Sequence, residues 1–199
     1  MRVSRAQAAE NRQNVINEAS RLFREHGFDG IGLKDLMQGA GLTQGAFYKQ
    51  FASKSDLAAQ AARQAITSGK RRWLAAAEAN PKDPLGAVVA FYLSMEHRAD
   101  RMDGCPIVAL GADAARQNAD VKASFEAGIR EYLEMLGPWV CEAEGDEPSG
   151  KAMAIASTMI GAMVIARCMN DEQLSKQFLD AAAKAVARLS DDNAQGPLS

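Results

Sequence analysis

Apolar side chains in this chain recur three and four positions apart and never settle into sustained alternation, a spacing that predicts helices throughout. Val15, Ile16, Ala19, Leu22 and Phe23 form one stripe of a helix expected over 10–26. Residues 1–10 read as a mobile arm carrying Arg2 and Arg5, and Gly27 is placed to close the helix in a left-handed conformation. Leu33, Leu36, Met37 and Ala40 predict a short second helix over 33–40, with Lys34 and Gln38 pointing the other way. Gly39 and Gly41 then permit a tight turn. A third helix, about 44–51, opens after Thr43, a good N-cap residue. Phe47 and Phe51 lie one turn apart and can pin it from behind, leaving Gln44, Gly45, Tyr48 and Lys49 outward. Ser53-Lys54-Ser55-Asp56 has the form of a capping box and starts a fourth helix that runs to Leu74 or Ala79.

The segment 80–84 breaks the pattern, with Asp83 as N-cap and Pro84 in the first helical position. Five more helices are expected over 84–100, 105–116, 119–143, 149–169 and 172–190. Pro138 should kink the third of these or end its regular part. Residues 145–150 form a polar loop, and the tail 191–199 lacks periodicity and is expected to be disordered. The expected fold is therefore all-α. An N-terminal three-helix unit occupies 1–57, and a C-terminal helical bundle occupies 58–190, with 58–79 as the connector helix.

Composition narrows the function classes. Residues 1–80 hold 12 Lys and Arg against 7 Asp and Glu, while residues 81–199 hold 11 against 18. Only the first part is suited to meet a polyanion, although the excess is modest. Cys105, Cys141 and Cys168 are scattered, with no paired spacing and no nearby His. That argues against a disulfide framework or metal site and fits a reducing cytoplasm. The start of the chain is polar and unlike a signal peptide, and the apolar run 152–166 reads as too short and too rich in small residues to span a membrane. The chain has two histidines, His26 and His97, and no HExxH, P-loop or dinucleotide fingerprint, so neither an enzyme nor a cofactor is expected.

A helix, a tight turn and a short helix with a polar outer side make the layout of a DNA-reading helix-turn-helix. Gly45 and Ala46 keep the reading end slim, Tyr48 offers a hydroxyl and a ring, and Lys54 can meet a flanking phosphate. The run Ala40-Gly41-Leu42-Thr43-Gln44-Gly45-Ala46-Phe47-Tyr48-Lys49-Gln50-Phe51, followed by Ser53-Lys54 and Leu57, resembles the signature of the TetR family of helix-turn-helix regulators. The likeness covers about residues 10–57. It implies that Thr43 caps the recognition helix and touches phosphate, and that Gln44, Gly45 and Ala46 face bases or backbone. It also implies that Tyr48 and Lys54 contact phosphate; Lys34 and Lys49, which plain solvated lysines would equally explain, and Gln50 complete the candidate DNA-facing set. Two departures stand out. Gly32 occupies a position usually held by Thr or Ser, and Gln50 replaces the usual His.

The same resemblance implies a homodimer on a near-palindromic duplex operator, released by a small molecule held in the second domain. Candidate ligand-contacting residues are Phe91, Tyr92, Met95, Cys105, Phe125, Tyr132, Met159 and Met163, each of which ordinary core packing would also explain. In the family the last two helices form the dimer interface, so Ala152, Ala156, Gly161, Phe178, Ala182 and Val186 are the candidates here. Cys105, at an expected helix start, opens an alternative in which the signal is an electrophile or oxidant. A helical adaptor that has lost DNA binding is a further alternative.

Overall fold

A computed structural model describes residues 4–140 and 149–191. Arg2, Cys141, the 141–143 end of one expected helix, 145–148 of the polar loop and 192–199 of the tail lie outside the described residues. The described residues form α1 (Arg5–His26), α2 (Leu33–Gly39), a 3-10 helix (Gln44–Lys49), α3 (Lys54–Ala79), α4 (Pro84–Tyr92), α5 (Met95–Ala99), α6 (Pro106–Ala114), α7 (Ala119–Leu136), a second 3-10 turn (Gly137–Trp139), α8 (Gly150–Arg167) and α9 (Glu172–Asp191). No strand occurs among them, and the fold is all-α.

Local signals explain most boundaries. Asp83 caps α4 by accepting from Gly86 N–H at 2.8 Å, with Pro84 at the first helical position. Pro138 ends the regular part of α7, and the chain tightens into a 3-10 turn there. Two expectations fail for one physical reason, an overlooked serine cap. Residues 5–10 are the first turns of α1, not an arm, because the Ser4 hydroxyl accepts from Gln7 N–H at 3.1 Å. The helix expected over 84–100 is two, α4 and α5, because the Ser94 hydroxyl accepts from His97 N–H at 3.0 Å and starts a new helix.

Packing groups the chain into two compact units, one of Met1–Gly69 with Arg101–Gly128, the other of Lys70–Asp100 with Ile129–Ser199. This grouping cuts the chain differently from a division at residue 57. Leu57, Ala58, Ala61 and Ala62 of α3 share one core with Val15, Phe23, Leu36 and Phe47, and Leu110, Val121 and Phe125 join it. Phe23 and Phe28 pack at 5.2 Å between ring centroids, and Phe125 meets Phe28 edge-on at 6.5 Å. Arg24 is buried in this unit, so its charge needs partners. It donates to Ser20 O at 3.0 Å and Gly104 O at 2.9 Å and lies 3.6 Å from the Asp103 carboxylate.

In the second unit Trp73 packs against Tyr132 at 4.7 Å and Tyr92 at 5.5 Å. The helices α8 and α9 lie side by side. Ala152, Ile155, Met159, Ala162, Met163 and Ala166 are buried along α8, and Ser175, Leu179, Ala182 and Val186 along α9. Against expectation, α8 is by length and composition apolar enough to cross a membrane, with 18 residues and a mean hydropathy of 1.2. Its buried stripe against α9 accounts for part of that apolar character. Arg98 donates to Ala166 O at 2.9 Å and Met169 O at 2.6 Å, while Arg167 donates to His97 O at 2.7 Å and Asp100 O at 2.9 Å. These bonds join the end of α8 to α5.

Gly27 closes α1 with φ 79° and ψ 166°, and its N–H donates to Phe23 O at 2.8 Å. That backbone region is open essentially to glycine alone. Gly27→Ala should therefore lower the free energy of unfolding by ~1–3 kcal/mol, read as a reduced urea midpoint with unchanged slope.

Candidate functional site

The reading element is built by a turn that the sequence encodes closely. At the end of α2, Leu42 N–H donates to Met37 O at 2.8 Å and Gly41 N–H to Gln38 O at 2.9 Å. These two bonds, with Gly41 at φ 71°, make a Schellman closure. Thr43 then runs extended (φ −84°, ψ 152°) into the 3-10 helix. It stands at the N-cap position, but its side chain makes no capping bond, contrary to expectation, and its carbonyl takes the Ala46 N–H at 3.0 Å. Gly32 likewise heads α2 without a side-chain cap.

The expected α-helix over 44–51 is a 3-10 helix over Gln44–Lys49. Its ends carry i→i+3 bonds, Ala46 N–H to Thr43 O at 3.0 Å and Gln50 N–H to Phe47 O at 2.8 Å. Phe47 is fully buried and stacks on Phe51 at 5.5 Å. With Phe47 inward, Gln44, Gly45, Tyr48 and Lys49 are exposed, and Tyr48 keeps 69% of its surface free. Thr43 and Lys34 are exposed too, whereas Ala46 and Lys54 are half-buried. Gln50, expected on the DNA-facing side, is instead half-buried. Its amide donates to Ala46 O at 3.3 Å, and its Oε1 is buried with no hydrogen-bond partner among the described residues. The serine–aspartate box forms, with Ser53 Oγ accepting from Asp56 N–H and the Asp56 carboxylate accepting from Ala52 N–H, both at 3.0 Å.

The other candidates separate. Cys105 and Phe125 belong to the first unit, where both are buried; Cys105 is the N-cap residue of α6 and Cys168 is exposed. Phe91, Tyr92, Met95, Tyr132, Met159 and Met163 belong to the second unit, where Phe91 and Met95 are half-buried and the rest are buried. Sequence reasoning missed three residues at the centre of this aromatic group: Trp73, His97 and Arg72. His97 lies 4.6 Å from the Tyr92 ring, and its Nδ1 is 2.6 Å from Tyr92 O. Arg72 sits 5.1 Å over Phe91 and pairs with Asp100 at 2.9 Å. Burial pushes the His97 pKa down to about 4, helped by the Arg167 and Arg72 charges and opposed by the Tyr92 carbonyl and Asp100.

Of the expected interface residues, Ala152, Ala182 and Val186 are buried within the single chain and so offer little surface to a partner. Ala156 and Gly161 are half-buried and Phe178 is 39% exposed. Met153, Val164, Ile165 and Leu174 are large apolar residues left exposed on the same two helices.

Two predictions follow from burial and charge. Phe47→Ala should cost about 3–5 kcal/mol of stability, whereas Tyr48→Ala should stay within about 0.5 kcal/mol, both by urea unfolding. For His97 the unfolded chain takes up a proton below the ordinary imidazole pKa of about 6.5, while the folded ring refuses it until pH 4 or so. Stability is therefore lost as pH falls through that window. Relative to His97→Gln, the wild type should lose about 2 kcal/mol more between pH 7 and pH 5.

Residues 15–61 match a family profile described as bacterial regulatory proteins, tetR family. Over 168 residues the chain is 23% identical to the transcriptional repressor NemR of Escherichia coli K12, covering 79% of this chain and 84% of that protein. A solved structure of E. coli NemR in its reduced form superposes with a TM-score of 0.73 at 20% identity, covering 90% of this chain and 96% of the other. A TetR transcriptional regulator from Chloroflexus aurantiacus superposes at 0.77 with 25% identity, covering 94% and 97%. AibR, solved with isovaleryl coenzyme A and operator DNA, superposes at 0.61 with 14% identity, covering 88% and 97%.

Proposed function

Because the chain belongs to the TetR family of bacterial regulatory proteins, we propose that it is a DNA-binding transcriptional repressor released from its operator by a small molecule. The observation that carries this reading is the division of the 3-10 helix, with Phe47 buried on one side and Gln44, Gly45, Tyr48 and Lys49 exposed on the other. An exposed tyrosine and lysine beside a glycine give hydrogen-bond donors, a ring for a thymine methyl, and room for backbone to approach a groove. Thr43, Lys34 and Lys54 flank them as phosphate contacts, and Ala46, half-buried against the core, completes the proposed set. Gln50, turned inward, acts on DNA only through the helix it braces.

Residues 1–57 are taken as the DNA-binding part and 58–190 as the ligand-binding and dimerising part, with 58–79 as connector. A short element reads only a few base pairs, so a homodimer on a near-palindromic site doubles the contacts. Met153, Val164, Ile165, Leu174 and Phe178 supply exposed apolar surface for that pairing, with Ala156 and Gly161 allowing close approach. AibR was solved with both isovaleryl coenzyme A and operator DNA, which supports effector control here too. Effector binding in the second part would lower operator affinity by a coupling free energy of ~1–3 kcal/mol.

The NemR likeness favours a second reading, since that protein was solved in a form named as reduced. Cys105 would then take the signal, from its place beside Gly104, whose carbonyl accepts from Arg24. Treatment with N-ethylmaleimide should weaken DNA binding of the wild type and spare Cys105→Ser; equal insensitivity of both proteins removes this reading.

Footprinting on the DNA flanking the protein's own gene tests the main reading. A protected, near-symmetric site whose occupancy falls steeply with salt is expected. Tyr48→Ala should weaken that binding by ~1–3 kcal/mol without changing helicity or dimerisation, and an unaltered footprint would contradict the role given to Tyr48.

A further inference from the structure

Arg12 lies on α1, and its contacts converge on the residues that leave the reading element and on the start of α3. Its Nη2 donates to Gln60 Oε1 at 2.6 Å, and its Nε donates to Gln50 O at 3.4 Å. The guanidinium carbon sits 5.0 Å over the Phe51 ring. Gln60 in turn donates to Asp56 Oδ1 at 2.7 Å, and Asp56 Oδ2 takes the Ala52 N–H at 3.0 Å. One half-buried cation thus touches α1, the residues that leave the 3-10 helix, and the first turns of α3.

A six-residue helix anchored by Phe47 can still roll about that ring. Phe47 fixes its depth, not its rotation. Three further contacts, a carbonyl just past its C-terminal end, the face of Phe51 and the side chain of Gln60, restrain the chain where it leaves the helix, and a single planar guanidinium supplies all three. Lysine could keep the charge but not the flat face and the forked donors together.

We propose that Arg12 is a positioning residue for DNA reading, setting the rotation of Gln44–Lys49 against α1 and α3 and thereby the discrimination between sequences, without itself contacting phosphate. The proposal rests on the DNA-reading conclusion above and adds to it a residue behind the contact surface.

The test uses the full chain and two probes of equal length: a duplex enriched by the wild type from a randomised pool, and an unrelated duplex. Arg12→Lys and Arg12→Met should each lose about tenfold on the enriched duplex, the scale of one misread base pair, while affinity for the unrelated duplex and the salt dependence on both stay at wild-type values. Gln60→Leu, which cuts the far end of the network and leaves the charge, should show a smaller loss of the same kind. Thermal unfolding identifies the folded fraction, to which all affinities are referred. The proposal is overturned if Arg12→Lys discriminates as well as the wild type. It is equally overturned if Arg12→Met weakens both duplexes alike with a salt slope shallower by about one, the mark of a lost phosphate contact, or if the loss vanishes once the folded fraction is counted. If the wild type enriches no sequence at all, the DNA-reading conclusion fails and Arg12 falls with it. Enrichment with unchanged discrimination in the variants removes only the role of Arg12.

Discussion

The stacking of Phe47 on Phe51 is the contact on which the function rests. A helix of six residues has too few internal bonds to persist in water. Its conformation is borrowed from the core into which Phe47 inserts, and that core draws on α1, α2, α3, α6 and α7 together. The surface that would meet DNA is then whatever points away from Phe47. In this chain that is a glutamine, a glycine, a tyrosine and a lysine. Which side chains are left exposed thus depends on an aromatic pair inside the protein.

Much of this was legible in the sequence, because it depends on local chemistry. The spacing of Val15, Ile16, Ala19 and Phe23, the phenylalanines four apart, the serine–aspartate box and the Asp83-Pro84 start each carry their meaning within one or two turns. The all-α fold and the outward set of the 3-10 helix followed. Gly27 and Gly41 were legible for the same reason, since each closes a helix with positive φ.

The misreadings have a common physical origin as well. Ser4 and Ser94 start helices through one hydroxyl, a signal that resembles any other polar residue in a string. Thr43 sits where a cap belongs, yet its backbone does the work and its side chain makes no capping bond. Gln50 turns inward because the Ala46 carbonyl is within reach, which residue type alone does not reveal. Arg72 and Trp73 are neighbours in the chain, but the fold alone brings them into the aromatic group that holds His97, and no periodicity announces it. Ala152, Ala182 and Val186 were assigned to a partner, yet they are already buried within the single chain. Small residues license close approach but do not say of what.

The reciprocal arginines of the second unit have a further consequence. Arg98, from α5, holds carbonyls at the end of α8 and just beyond it, and Arg167, from α8, holds carbonyls at α5. Neither helix end can fray without releasing the other. Two short stretches nearly 70 residues apart in the chain are therefore expected to melt as one cooperative unit, so that their peptide hydrogens trade with solvent at a shared rate, set by the rupture of the whole clasp and not by the looseness of either terminus.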